Sequence, residues 1–328
     1  MLSSFERTVA CWLLAAAVFA GFIVPGLSEI FEPYKLESLF VLIVMSLLPM
    51  GRMDVEQVFT LDSKVWKIVL WQLLGLPALV VAAAHLARID ATITKLLVIT
   101  ASAGSLFASP TFAELLQVNK QRALQCMVLS TFLMPLSYFV FFTVVLHTKV
   151  NLDFADYVDR CLTFLIMPLG IFLIYMGIST SLRPKVADII ESVSRRSTII
   201  ALIVFGIGVV GPARDLMHAD FNHFVLYLVI VNALGIGMAY LTVVVMFRQG
   251  INDAMTASIV SGFRNVGLGM VLLSGVSGTH TAQYVGISQI PIFLAPLALS
   301  LFMRKQRGTS VVPTAESAGA LLAKQIAA

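Results

Sequence analysis

An all-α polytopic membrane protein is the fold class this sequence predicts, and three observations carry the prediction. Only 12% of the 328 residues are charged, where soluble domains average about 25%. Hydrophobic residues make up 59%, and the mean hydropathy is +0.93. Apolar runs long enough to cross a bilayer recur along the chain between short polar links. The pI near 9.0 calls for no nucleic-acid partner, because Lys and Arg gather in the cytoplasmic loops of membrane proteins.

Ten spans are expected, each with roughly the 17 to 25 residues that about 30 Å of hydrocarbon demands. The first, 8–25, could pass for a secretion signal. Glu6 and Arg7 cancel in its leading segment, however, and Pro25 follows without a convincing cleavage site. The second covers 36–51. The third, 65–87, holds a mid-span amide, Gln72, in "VLWQLLGLPALV". The fourth, 93–117, reads "ITASAGSLFASPTFAELL" and carries Gly104, Ser105, Ser109 and Pro110. Pro110 lacks a backbone donor and crowds the preceding turn, so this helix should break near Phe107–Pro110. The fifth, 121–147, includes Ser130 and Thr131, whose hydroxyls are expected to bond back to their own helix.

The sixth and seventh spans cover 159–181 and 196–213 and carry their charged residues, Asp159, Arg160 and Arg196, at their starts. The eighth, 222–247, contains Asn232, expected as polar glue between helices. The ninth, 252–276, reads "TASIVSGFRNVGLGMVLL", with Gly262, Gly267 and Gly269 bracketing Arg264 and Asn265. Glycine permits unwound backbone there. The tenth covers 282–303. The tail after Arg307, rich in Gly, Ser, Ala and Pro, is expected to be a loosely ordered cytoplasmic end.

The basic residues set an orientation. With the N-terminus inside, the inner segments hold Arg7, Arg52, Lys64, Lys67, Lys120, Arg122, Arg183, Lys185, Arg195, Arg196, Arg248, Arg304, Lys305, Arg307 and Lys324. The outer segments hold only Lys35, Arg88, Lys95, Lys149, Arg160 and Arg214. That bias places both termini in the cytoplasm, in an inner (plasma) membrane of bacterial type.

Ten spans also divide into two fives. "TAS" occurs at Thr100–Ser102 and at Thr256–Ser258, and Pro135 in "FLMPL" has a counterpart in Pro291 of "SQIPIF", both 156 residues apart. Five is odd, so the second copy must be inverted. The expected divisions are a first repeat over 1–150, a second over 151–307 and the tail 308–328. Interrupted spans at matching positions of two halves are the best sequence pointer to a transport site, because broken backbone survives in a bilayer only when buried in protein or lining a cavity.

Arg264 is the costly residue. A buried Arg costs about 2.5 to 3.5 kcal/mol on insertion scales and marks a functional site by default. Its mid-span place argues against snorkelling to an interface. A structural ion pair with Glu114, the one acid well inside an expected span, is the competing reading. The five histidines fall near span ends or in loops, and no Ser/His/Asp grouping shares a depth, so enzyme chemistry is not expected. Cys11, Cys126 and Cys161 form no CxxC pair and read as buried, inert thiols.

The stretches "ASPTFAELLQVNKQRALQCMVLSTFLMPL", "DAMTASIVSGFRNVGLG" and "QLLGLP" resemble blocks of the bile acid:sodium symporter family. The resemblance covers nearly the whole chain. It implies ten helices in two inverted five-helix repeats, a panel domain facing a core domain, and discontinuous fourth and ninth helices that cross in the core. The chain departs from the family where members bind sodium. Ser-Asn at the fourth-helix break is Ser109-Pro110 here. A Ser and a Thr of the fifth helix are replaced by Ala123 and Met127. A ninth-helix Glu is replaced by Val260, and the Gln before Asn265 by Arg264. Gln72, Ser109 and Asn265 remain of that pattern.

The reading that follows is a secondary carrier of a small organic anion, working by alternating access, with Arg264 as a tethered cation in place of sodium. Arg264, Asn265, Ser109, Gln72, Pro110 and Gly267 are the expected substrate-binding residues, and Glu114 the expected proton carrier or ion-pair partner. Sodium coupling, as in the wider family, and a non-transporting receptor with the same fold are the alternatives. No cofactor is implied beyond the sodium ion, which the departures argue against. The expected partners are the anion and the lipid bilayer, with the chain a monomer or weak homodimer.

Overall fold

The structure is a computed structural model and describes residues 4–48, 62–116, 118–146, 154–179, 184–273 and 278–309. It is helical from end to end, with no β-strand among the described residues. In chain order the helices are α1 (Ser4–Ile23), α2 (Leu27–Phe31), α3 (Lys35–Leu47), α4 (Ser63–Leu86), α5 (Ala91–Ser102), α6 (Ser109–Leu115), α7 (Lys120–Val145), α8 (Ala155–Ser179), α9 (Lys185–Ala219), α10 (Phe221–Gln249), α11 (Ile251–Gly262), α12 (Val266–Leu272) and α13 (Thr279–Thr309). Five of them, α4, α7, α8, α9 and α10, are long and apolar enough to cross a membrane alone. A sixth span results if α1 and the α2–α3 pair, bent by 115°, count together.

Local chemistry explains where these helices begin. Asp62, Asp90, Asn119, Asp220 and Asn265 each turn a side-chain oxygen onto a backbone N–H of the first turn of α4, α5, α7, α10 and α12. Such caps satisfy donors that have no partner inside the helix. Two glycines set corners that other residues resist. Gly26 (φ 77°) turns the chain from α1 into α2, and Gly250 (φ 101°) turns it from α10 into α11.

The helix limits refine the expected spans. The seventh span lies within a much longer helix, α9. The tenth runs from Thr279 to Thr309, so residues 308 and 309 of the expected tail are helical, while 310–328 lie outside the described residues. Residues 49–61, which include the end of the second expected span, also lie outside them. The fourth span breaks earlier than expected. Helix α5 stops at Ser102, and Pro110 sits in the first turn of α6. A missing N–H has no intrahelical partner to lose in a first turn, so Pro110 starts the second half-helix rather than ending the first.

Helices α4, α7 and α8 each carry a π turn, and the one in α4 includes Gln72. In α4, Trp71–Gly75 winds one residue wider, and the Leu76 N–H bonds to the Trp71 carbonyl. Pro77 has no N–H to offer the next carbonyls. Gln72 and Leu73 therefore present main-chain oxygens to other helices, and Ser137 of α7 donates to the Leu73 oxygen at 2.7 Å. A π turn of this kind is a common mark of a functional position in a helix.

Candidate functional site

Two helix breaks meet at the centre of the molecule. Residues 103–108 separate α5 from α6, and residues 263–265 separate α11 from α12. Extended backbone inside a helical protein leaves polar groups needing partners, and here each break supplies the other's. The Asn265 N–H donates to the Gly104 carbonyl at 2.9 Å and the Leu106 N–H to the Phe263 carbonyl at 3.0 Å. Ser105 and Arg264 thus face each other across a short antiparallel bridge.

The side chain of Arg264 is 2% exposed. Its Nη1 donates to the Ala103 carbonyl at 2.8 Å, and its Nη2 to the Gln72 carbonyl at 3.2 Å, with the Met238 sulfur 3.7 Å away. The Gln72 oxygen is the one that the π turn and Pro77 leave without a helical donor. Nε has no partner. Among the described residues no carboxylate lies within ion-pair distance of the guanidinium. The side chain of Glu114, the partner expected from the sequence, is outside the described residues, though its backbone belongs to α6.

Gln72 makes the crossing a three-part joint. Its Nε2 donates to Ser105 Oγ at 2.9 Å and to the Val260 carbonyl at 3.2 Å. It therefore acts with its side chain as glue and with its main chain as a ligand of Arg264. Ser130 continues the network from α7. The Ser105 N–H donates to Ser130 Oγ at 3.0 Å, and Ser130 Oγ also donates to the Met127 carbonyl of its own helix at 3.2 Å. The expected back-bond is present, but the link to the break was missed. Gly104 marks the contact, since an added Cβ there would lie 3.1 Å from the Ser130 main-chain oxygen and 3.2 Å from Thr131 Cα, but the sequence shows only the glycine and not what it abuts.

The other expected residues are placed as follows. Asn265 caps α12 through Oδ1, which accepts from the Leu268 N–H at 3.2 Å, while its Nδ2 is buried without a partner. Ser109 is fully buried at the start of α6, and its Oγ is also unpartnered. Gly267 packs against α9. A Cβ there would lie 2.6 Å from the Phe205 ring. Gly262 likewise abuts Ala239, at 2.9 Å. The unwinding is borne instead by Phe263, Arg264 and Asn265, all with negative φ or none in the left-handed region. Asn232 corrects its expectation: its Nδ2 donates to the Leu228 carbonyl of its own helix at 2.8 Å. Thr131 corrects the opposite way, since its Oγ1 is buried with no partner among the described residues. Cys126 is buried and Cys161 half-buried, both as free thiols, and the side chain of Cys11 is outside the described residues.

A narrow, partly open cleft of about 20 Å³, room for about one water, lies beside the first break, between α3, α7 and α8. Phe107 of the break, Phe132, Phe164 and Phe172 form much of its wall, and Thr131 contributes a hydroxyl. Arg264, Asn265, Gln72 and Ser109 do not line it.

A second polar cluster sits where α4, α7 and α11 begin. Arg122 pairs with Asp253 through Nη1 and with Asp62 through Nη2 at 3.2 Å, and Lys64 meets Asp253 at 2.6 Å. The Asn119 N–H donates to Thr256 Oγ1 at 3.2 Å. Burial works to raise the Asp62 carboxyl, but the Val65 N–H and the Arg122 guanidinium outweigh it and hold that carboxyl below the ordinary range.

No protein-family model matches the chain, and no curated protein matches it.

Proposed function

We propose that this chain is a secondary active transporter of a small organic anion, working by alternating access, with Arg264 standing where bile acid:sodium symporter-like proteins hold sodium. The observation that carries the reading is the buried guanidinium seated on main-chain oxygens of two elements at paired helix breaks. Hard cations are bound by just such carbonyl oxygens. At the crossing those of Ala103 and Gln72 already accept from Arg264. Val260 supplies no carboxylate, and its carbonyl accepts from Gln72. The residues present therefore do not fit a sodium ion.

The reading includes ten spans in two inverted repeats, 1–150 and 151–307. The antiparallel pairing of one break from each half supports it. So does the overlap of every expected span with a helix, or with two half-helices around a break. Arg264 keeps a positive charge at the pivot through the whole cycle. An anion approaching it gains attraction in a medium far less screening than water, and no cation has to be captured or released.

Flux into liposomes tests this. Uptake of a labelled organic acid should proceed equally in sodium, potassium or choline, and Arg264→Gln should reduce it about a hundredfold or more. One unit charge at 4 Å and an effective dielectric near 20 is worth about 4 kcal/mol, which is about three decades in affinity. Strict sodium dependence would overturn the tethered cation. Binding without flux would show a receptor instead.

A further inference from the structure

We propose that Ser130 and Met134 of α7 are positioning residues for Arg264, pinning two successive peptides of the first break from behind so that their carbonyl oxygens face the second break. The inference rests on the transporter reading for what Arg264 does with its charge, and on the crossing alone for how that side chain is held.

Each of the two peptides is gripped on both sides. In the peptide joining Ala103 to Gly104, the oxygen accepts from Arg264 Nη1 at 2.8 Å and the N–H donates to the Met134 sulfur at 2.9 Å. In the peptide joining Gly104 to Ser105, the oxygen accepts from the Asn265 N–H at 2.9 Å and the N–H donates to Ser130 Oγ at 3.0 Å. The N–H and C=O of a planar trans peptide point opposite ways. A partner for the N–H on one side therefore sets where the oxygen points on the other. Ser130 and Met134 are four residues apart, one above the other on a single face of α7, and both are fully buried.

Gly104 explains why the grip is needed. A peptide turns over by rotating ψ of one residue and φ of the next, and φ of a glycine is free for want of a Cβ. A side chain cannot stiffen this position, because a Cβ would lie 3.1 Å from the Ser130 main-chain oxygen. Turned over, the Ala103–Gly104 peptide would present its N–H to a guanidinium that has only donors. Sulfur is a weak acceptor, but it is the one partner of the Gly104 N–H among the described residues, and a buried N–H left alone is costly. The stiffness that the glycine lacks is supplied from α7.

The same face of α7 extends the grip. Ser137 donates to the Leu73 carbonyl of α4 at 2.7 Å, and the Tyr138 hydroxyl to the Ile99 carbonyl of α5 at 3.1 Å. Helix α7 thus ties α4, α5 and the first break into one body. On the two-repeat reading, the offset of 156 residues sets Gly286 and Ile290 of α13 against Ser130 and Met134, and neither side chain carries an acceptor. The grip belongs to the first break, and Arg264 closes onto carbonyls that are already set.

The test reads the Arg264 side chain by NMR, in the full-length protein in nanodiscs with isotope-labelled arginine. Its guanidinium signals are those lost in Arg264→Gln. Met134→Leu keeps the volume and removes the acceptor. It should speed exchange of the Arg264 Nη protons with water about threefold to tenfold, the worth of one hydrogen bond. Ser130→Ala should act the same way, while Ser130→Thr, which keeps a hydroxyl, should match the original. Met127→Leu makes the same swap at another fully buried site of α7 and should change nothing. Met134→Leu should also lower the melting temperature less in an Arg264→Gln chain than in the original, since the two side chains share one peptide. Uptake of a labelled organic acid should fall about threefold to tenfold in Met134→Leu. Should Met134→Leu not fold, the two Ser130 variants decide. Unchanged Arg264 signals in folded Met134→Leu or Ser130→Ala would overturn the proposal. So would an equal response in Met127→Leu, an equal drop in melting temperature with and without Arg264, or undiminished uptake. If the signals respond as expected but no acid enters liposomes even with the original chain, the transporter reading falls and the positioning stands.

Discussion

Arg122 and Arg264 are both largely withdrawn from water, yet the first is met by carboxylates and the second by backbone carbonyls. At the helix starts, Arg122 and Lys64 face Asp62 and Asp253, two positive charges against two negative ones. The quartet is neutral and ties α4, α7 and α11 together. At the crossing, neutral oxygens hold Arg264, and among the described residues no carboxylate cancels its charge. Carbonyl dipoles can solvate a buried cation, but the field of that cation still reaches a few ångströms beyond them. Charge that serves assembly is neutralised on the spot. On the proposed carrier reading, the charge of Arg264 is the one left for a visiting anion, and ionisable residues within membrane-spanning segments are rare enough to expect such a use.

Making the crossing resemble the helix-start cluster is the strongest way to break the contrast. Val260 is fully buried on α11, and its carbonyl accepts from Gln72. Val260→Glu brings a carboxylate to the joint and should neutralise Arg264. Anion transport should fall about a hundredfold, with a melting temperature that reports any overpacking separately, a cost of about 1 to 3 kcal/mol. Combined with Arg264→Gln, the same carboxylate joins freed carbonyl oxygens in a set suited to a hard cation. Sodium should then stabilise the double variant against heat, where it does nothing for the original. A double variant indifferent to sodium would show that the oxygens at the breaks are not arranged for an ion.

Much of the crossing was legible from the chain. Arg264 between glycines, the broken spans and the paired halves of "TAS" all pointed to one region. Asn265 and Gln72 were chosen for their side chains, and both do bond there. The main chain was not legible. That Gln72 would hold Arg264 by its carbonyl depends on a π turn and on Pro77 four residues after Leu73, and hydrophobic period does not register a turn of one extra residue. Gly267 was read as freedom of the backbone and proved to be room for Phe205, because sequence shows the missing side chain and not its neighbour. Thr131 was read as self-satisfied for the same reason. Periodicity gives the face of a helix, not which hydroxyl on that face is left over.

Removing one acid from the helix-start cluster sharpens the contrast at smaller scale. Asp253 is the shared partner of Arg122 and Lys64 and is mostly buried. Asp253→Asn leaves two cations with only Asp62, at one edge, to answer them. Breaking a well-buried pair costs about 3 to 5 kcal/mol, and partial exposure reduces that to about 1 to 3 kcal/mol here. The expected result is a lower melting temperature with unchanged ion selectivity. Adding Arg122→Gln should recover part of the loss, since it removes the stranded charge along with its partner. If Asp253→Asn instead altered the sodium response or the affinity for an anion, the two arginines would be coupled and the division of labour would fail.

The smallest effect is a pH dependence that only one region should show. Asp62 has its carboxyl held below the ordinary range by the Val65 N–H and Arg122, against the effect of burial. A carboxyl lowered in the folded protein binds its proton less readily there than when unfolded, so it adds stability above the unfolded value near 3.9. That contribution is lost as pH falls through the lower folded value. Because Asp62 is half exposed, it is worth under about 1 kcal/mol. Melting temperature should therefore be flat with respect to this group from neutral pH to about 5 and decline below about 4, and Asp62→Asn should remove that part of the decline. The contacts of Arg264 use carbonyl oxygens that do not titrate. Binding of a permanently charged sulfonate such as 3-phenylpropanesulfonate, followed over the same window while the protein stays folded, should show no matching step. A step at the pH where Asp62 titrates, abolished by Asp62→Asn, would mean that the cluster at the helix starts reports to the crossing after all.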